Sequence, residues 1–146
     1  MKLNPGDKVG IISPSSFLRN REAVELGLDY LRSLELEPVL GEHVFDAFRY
    51  MAGTPEDRTA DLHRFYADPE IKAVFCTAGG SGSQYMLPLI DYELVRRNPK
   101  PLFGFSDNTA LQLGLYARAK AVTCTGFTLK YDFKNCLLYT SDAADE

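Results

Sequence analysis

A chain of 146 residues, 45% of them hydrophobic and 25% charged, has the size and composition of one soluble globular domain. Its net charge of −4, with lysines and arginines scattered among the acids, leaves no basic face for a nucleic-acid partner. No apolar run approaches the roughly 20 residues that span a bilayer, so a membrane partner is not expected either.

The N-terminus, Met1 to Asp7, breaks into a turn at Pro5-Gly6 before any apolar stretch, unlike a signal peptide. Val9-Gly10-Ile11-Ile12 then reads as a strand apolar on both faces, closed by Ser13-Pro14-Ser15-Ser16. Arg19 to Leu34 follows with Val24, Leu28 and Leu31 at helical spacing. Pro38-Val39-Leu40 is a second, weaker strand, followed by a polar, aromatic-rich connection through Phe45, Phe48 and Tyr50.

Thr54-Pro55-Glu56-Asp57 carries agreeing helix-start signals: an N-cap hydroxyl, proline at the first helical position and two acids at the positive end of the dipole. That helix is predicted to end near Ala67, before Pro69. Ala73 to Thr77 is the third strand, running into Ala78-Gly79-Gly80-Ser81-Gly82-Ser83. Leu102 to Phe105 is the fourth, running into Ser106-Asp107-Asn108-Thr109 and an apolar helix through Tyr116. Ala121 to Thr125 is the fifth. Such alternation predicts an α/β fold with a doubly wound, mostly parallel, flavodoxin-like sheet, whose ligands gather at the carboxyl ends of the strands.

The last eleven residues, Cys136 to Glu146, do not continue this pattern and resemble a translated sequencing adapter. The expected organisation is therefore a nucleophile-bearing domain over residues 1–135 and a non-native tail over 136–146. Cys76, Cys124 and Cys136 are odd in number and widely spaced, which suits reduced thiols in a cytoplasmic protein better than a disulfide framework.

Two segments could carry chemistry. Ser106, where a buried strand turns into a helix, would be thrust out at the sheet's carboxyl edge, with the Asp107 N–H close to any oxyanion formed there. Gly104 allows that turn to be tight. A serine in this place also reads as a plain N-cap, with Thr109 three residues on. The glycine loop after the third strand leaves backbone N–H groups free to cradle an anion, or is simply a flexible turn. A nucleotide reading fails, because Tyr85 stands where the dinucleotide fingerprint needs its third glycine and no Gly-Lys-Ser/Thr motif is present. A serine nucleophile needs a base, yet His43 lies in the polar connection and His63 in mid-helix. No spacing of His, Cys and acids along the chain suggests a metal set.

In order along the chain, Leu3-Asn4-Pro5-Gly6-Asp7 with Val9 to Ser16, then Met51-Ala52-Gly53-Thr54 with Arg58, then Gly79 to Ser83, then Leu87 to Tyr92, then Asn98-Pro99-Lys100, then Gly104 to Thr109 form six segments. Together they resemble the serine peptidase family of muramoyl-tetrapeptide LD-carboxypeptidases and microcin-immunity peptidases, over about Leu3 to Phe133. The resemblance implies Ser106 as nucleophile, an oxyanion hole from the backbone of Asp107 and Gly80, and substrate contacts at Gly79, Ser81 and Ser13. It also implies removal of a terminal D-amino acid from a murein peptide, or cleavage of a peptide-nucleotide, without metal or organic cofactor. The triad Glu and His would come from a C-terminal domain outside this chain, so the chain alone is expected to be inactive; a homodimer is open for the full-length protein. Ala78, where the murein enzymes often carry Arg, and Ser81, in place of a frequent aromatic, keep the microcin-immunity type in play. A non-catalytic flavodoxin-like module holding a small anion is the reading from a different class.

Overall fold

The computed structural model describes residues 2–130. The tail from Cys136 therefore lies outside the described residues. The elements run β1 (Lys8–Ile12), α1 (Glu22–Ser33), β2 (Glu37–Leu40), α2 (Pro55–Ala67), β3 (Ile71–Cys76), α3 (Tyr92–Arg97), β4 (Leu102–Gly104), α4 (Asn108–Ala119) and β5 (Thr123–Thr125). A 3-10 turn at Ser83–Met86 precedes α3. The strands form a parallel sheet in the order β2-β1-β3-β4-β5, the flavodoxin-like order expected from the alternation.

Side-chain alternation divides the core in two. Ile12, Val74 and Cys76 point to the face covered by α2, α3 and α4, where they meet Leu62, Phe65, Val95, Leu111 and Leu115. Val9, Ile11, Ala73 and Phe75 point to the other face, against Val24, Leu28 and Leu31 of α1. A parallel strand covered on both sides must be apolar throughout, which is why β1 and β3 read as unbroken hydrophobic runs. Cys76 is buried in this core, and burial pushes its thiol pKa up.

The start of α2 follows its sequence signals closely. Thr54 Oγ1 accepts from the Asp57 N–H (3.2 Å), while Asp57 Oδ2 accepts from the Thr54 N–H (3.1 Å). This reciprocal box is worth about 1 kcal/mol, and the bonds from Thr54 hold the Asp57 carboxyl below its usual range. The far end of α2 is closed by Lys100, whose buried Nζ donates to the carbonyls of Phe65 (2.8 Å) and Asp68 (2.5 Å).

Other boundaries shift for local reasons. Helix α1 starts at Glu22 rather than Arg19, because Phe17 N–H bonds the Tyr50 carbonyl and Asn20 Oδ1 caps the Glu22 N–H. Strand β5 is confined to Thr123–Thr125 because Ala121 N–H still bonds the Leu115 carbonyl at the end of α4. Helix α3, six residues long, carries too few apolar positions to show a period; Asp91 caps it through two 3.0 Å bonds to the N–H groups of Glu93 and Leu94.

His63, half-buried on α2, accepts the Asp91 N–H at Nε2 (2.9 Å), which requires an unprotonated nitrogen. Desolvation lowers its pKa in the folded chain. The unfolded chain then binds the proton more readily, so this contribution to stability is complete above the unfolded value of about 6.5 and is lost as pH falls through the lowered folded value. Urea titrations at pH 7.5 and pH 5.5 should show a smaller loss of stability on acidification in His63→Gln than in the parent. An equal loss in both would remove His63 from the pH dependence.

Candidate functional site

The turn between β4 and α4 places Ser106 at the carboxyl edge of the sheet with φ +64°, a left-handed conformation that disfavours side chains. Helix α4 takes Asp107 as its N-cap and has no side-chain cap bond, so the Ser106 hydroxyl does not cap it. Thr109 N–H bonds instead the Ser106 carbonyl (3.0 Å). Ser106 is exposed, and among the described residues its hydroxyl has no hydrogen-bond partner.

The glycine loop meets this turn at close range. A Cβ at Gly79 would stand 2.8 Å from Ser106 Cβ and 3.1 Å from its Oγ, closer than atoms pack. Gly80, at φ +125°, lies so near the loop after β1 that a Cβ would fall 2.1 Å from Ser16 Oγ. Only glycine fits either position. Among the described residues the N–H groups of Gly80 and Asp107 donate to no acceptor. Ser106 and Gly80 thus share one edge of the sheet and line one cleft of about 510 Å³.

That cleft is lined by Ser16, Phe17, Arg19, Tyr50, Ala78, Gly79, Gly80, Phe105, Ser106, Thr128 and Lys130. Among the described residues its lining holds the cations Arg19 and Lys130 and no carboxylate, although the chain as a whole is acidic. The Arg19 guanidinium lies over the Phe17 ring, 5.4 Å from its centroid.

Beneath the cleft, polar side chains tie the strand ends together. Asp107 Oδ2 accepts from Ser15 Oγ (2.7 Å) and from the Ser83 N–H (2.9 Å), and the Asp107 carbonyl accepts from Ser83 Oγ (2.6 Å). Ser15 Oγ also lies 2.8 Å from Asn108 Oδ1, and Asn108 Nδ2 donates to the Ala78 carbonyl (3.2 Å). Ser81 N–H donates to Ser16 Oγ (3.1 Å), so Ser81 is a member of the loop scaffold and does not line the cleft. Ser13, expected to touch substrate, is not brought to the cleft. It is buried under β1, donating to the Val44 carbonyl (2.8 Å) and sharing a 2.7 Å bond with Thr77 Oγ1. Ser16, three residues later, takes the place at the cleft wall that was expected of Ser13.

Neither histidine lines the cleft. His63 is engaged at Asp91, and His43 Nδ1 bonds Asp46 Oδ2 (2.8 Å), a contact that raises its pKa. The fold does gather His43, Asp46 and Asp57 so that their ligand atoms lie within 4.8 Å of one another. Sequence spacing therefore missed a grouping made where the connection between β2 and α2 folds back on the first turn of α2, bringing His43 and Asp46 to Asp57. Cys124, half-buried, and Cys76 are both free thiols.

The model of the LD-carboxypeptidase N-terminal domain matches residues 9–126. The chain belongs to the LD-carboxypeptidase family. The murein tetrapeptide carboxypeptidase of Pseudomonas aeruginosa is 41% identical over 108 residues, covering 71% of this chain and 34% of that protein. The microcin C7 self-immunity protein MccF of Escherichia coli is 30% identical over 123 residues, covering 83% of this chain and 36% of that protein. A solved structure of MccF in complex with aspartyl sulfamoyl adenosine matches with a TM-score of 0.85 at 30% identity, over 90% of this chain and 40% of that one. The chain thus spans about 40% of the length of such relatives. Among the described residues no helix is long and apolar enough to cross a membrane.

If the left-handed turn at Ser106 is strained by its side chain, Ser106→Gly should raise stability by about 1 kcal/mol. In thermal denaturation that is a rise of roughly 3 °C in the midpoint. Gly79→Ala should lower the midpoint instead, because its methyl group has no room beside Ser106. An unchanged midpoint in Ser106→Gly would show the turn to be unstrained.

Proposed function

We propose that this chain is the nucleophile-bearing half of a serine carboxypeptidase acting on a terminal D-amino acid of a murein peptide. The observation that carries the reading is Ser106 itself: a serine held at φ +64°, with an unbonded hydroxyl, beside the unengaged N–H groups of Gly80 and Asp107. Glu35, Arg49 and Lys120 share that conformation outside the cleft lining, so what singles out Ser106 is its unbonded hydroxyl at a strand-to-helix turn beside two unengaged N–H groups.

In the reaction, Ser106 Oγ attacks the scissile carbonyl and the resulting oxyanion takes the N–H groups of Gly80 and Asp107. The scissile C–N bond then breaks as the base passes the hydroxyl's proton to the departing nitrogen, and water cleaves the acyl ester, restoring the Ser106 hydroxyl. The proton of the hydroxyl must go to a base, and neither His43 nor His63 faces the cleft. The Glu and His that activate the serine belong to the remaining part of the full-length protein, which also closes the cleft. Arg19 and Lys130 suit the free carboxylate by which a carboxypeptidase selects the chain end. Thr128 and the aromatic walls Phe17, Tyr50 and Phe105 complete the lining.

A second substrate reading rests on those same aromatic walls and on the small Ala78, which leave room for a flat base, and on the likeness to MccF with its bound aspartyl sulfamoyl adenosine. Cleavage of a peptide-nucleotide uses the same serine and differs only in what fills the cleft.

Removing one member of a serine triad leaves only about 10³–10⁴-fold catalysis over water, and this chain lacks two. It should release no detectable D-alanine from a murein tetrapeptide. Residues 1–130 fused to the C-terminal portion of the Pseudomonas aeruginosa relative should do so, and the activity should vanish in Ser106→Ala and survive chelators. Arg19→Gln in the fusion should raise KM about tenfold, the worth of one charge-assisted contact. Turnover by the unfused chain that depends on Ser106 would refute the split site; turnover by the fusion without Ser106 would refute the nucleophile.

A further inference from the structure

The second sequence signature, Met51 to Thr54 with Arg58, has no part in the site as described so far, and Arg58 is the unusual residue in it. Its side chain is among the largest that are fully buried, at 2% exposure. Burying a permanently charged guanidinium is expensive unless its donors are satisfied. Here Nη1 donates to the carbonyls of Pro14 and Gly82 (the latter at 3.0 Å), Nη2 to Met51 Sδ (3.3 Å) and Nε to the Thr54 carbonyl (3.3 Å). These acceptors come from the end of β1, the glycine loop and the segment before α2.

Arg58 also sits in the first turn of α2, where the helix dipole disfavours a cation. Local rules therefore argue against an arginine at this position twice, by burial and by dipole. A residue that breaks local rules, yet has every guanidinium nitrogen bonded, serves something beyond its own helix. Desolvation lowers its pKa, and among the charges that oppose this Asp107 is foremost. Asp107 is the residue after Ser106, and its carboxylate already holds Ser15 and Ser83. The signature closes on itself: Thr54 caps the helix that presents Arg58, and Met51 supplies one of its acceptors.

We propose that Arg58 is a positioning residue that clamps the glycine loop to the end of β1, so that the Gly80 N–H is held opposite Ser106. It touches no reacting atom; it acts through Gly82 and Pro14. A lysine ammonium replaces it only in part: it could meet the two carbonyls that Nη1 bridges, but it would not supply the Nε and Nη2 bonds to Thr54 and Met51 that fix the fork. The inference rests on the reading of Ser106 and Gly80 given above, but it concerns the loop, which can be observed in the chain as it stands.

The test is amide hydrogen exchange followed by NMR in the 146-residue chain, its Arg58→Lys and its Arg58→Met variants. Ser81 and Ser83 report on the loop, since their N–H groups bond Ser16 Oγ and Asp107 Oδ2. Val74 and Leu102 report on the sheet, bonding the Pro101 and Val122 carbonyls. Loss of the clamp should speed exchange at Ser81 and Ser83 about tenfold in Arg58→Met, the equivalent of one lost hydrogen bond, and less in Arg58→Lys. Val74 and Leu102 should stay within about twofold, since their bonds lie outside the clamp. Unchanged exchange at Ser81 and Ser83 would overturn the proposal. So would equal acceleration at all four amides, or unfolding of both variants, because Arg58 would then support the fold at large. In the active fusion Arg58→Lys should lower kcat and leave KM within about threefold, the pattern of a lost transition-state contact. Full activity in Ser106→Ala would end the nucleophile reading without touching the exchange result, so the two failures are distinguishable.

Discussion

One carboxylate, that of Asp107, joins the ends of three strands. It stands directly after Ser106 at the end of β4, accepts from Ser15 beyond β1, and accepts from Ser83 in the loop beyond β3. In a parallel sheet, loops leaving adjacent strands have no hydrogen-bond ladder to hold them in register beyond the last paired residue. Side chains must do it instead. The order β2-β1-β3-β4-β5 sends the connections after β1 and β3 to opposite sides, which opens a crevice at that edge. The Asp107 network spans the floor of this crevice, and the cleft with Ser106 lies above it. Asn108, fully buried and bonded to the Ala78 carbonyl, extends the floor by one residue. That is why a bulky amide can stand two places after the serine, where the usual hydrolase turn wants a small side chain.

Satisfying so many buried polar atoms makes this edge stiff as well as specific. Among the described residues no buried side-chain nitrogen or oxygen lacks a partner. By contrast, at the surface of the cleft the Ser106 hydroxyl and the Gly80 and Asp107 N–H groups have no partner among the described residues. For the proposed nucleophile and oxyanion hole, a bonded floor beneath unbonded groups is what electrostatic preorganisation requires, because groups already fixed need no reorientation when charge develops.

The sequence made the fold legible wherever burial was two-sided or capping was explicit. Unbroken apolar runs marked β1 and β3, and Thr54 with Pro55 and Asp57 marked α2, since each signal is local. Helix α3 was not legible, because six residues do not complete two turns and Tyr92 and Leu94 are only partly buried. Within the site, Ser106, Gly79 and Gly80 could be read from strand-to-helix turns and glycine placement. Ser13 could not be separated from Ser16 in that way: a run of serines at a strand end does not say which hydroxyl turns inward to Val44 and Thr77. The cleft's cations Arg19 and Lys130 were equally hidden, lying 111 residues apart in sequence and meeting only because β1 and β5 deliver their loops to the same edge.

A site whose triad Glu and His come from outside this chain, as proposed, carries a physical consequence for how it would work. Ser106 takes its left-handed conformation in this domain, between α4, the glycine loop and the Asp107 network, and among the described residues no histidine or carboxylate lines the cleft beside it. A hydroxyl without a base is inert at neutral pH, so nothing is lost by keeping it exposed while the cleft is open. On that reading, reactivity depends on the approach of a second surface bearing the proton acceptor. That surface must also exclude water, because an oxyanion hole of two N–H groups stabilises charge strongly only in a low-dielectric site. The aromatic rim of Phe17, Tyr50 and Phe105 gives it an apolar seat around Ser106. Substrate that fills the cleft would extend that seat, so binding and assembly of the complete active site would reinforce one another.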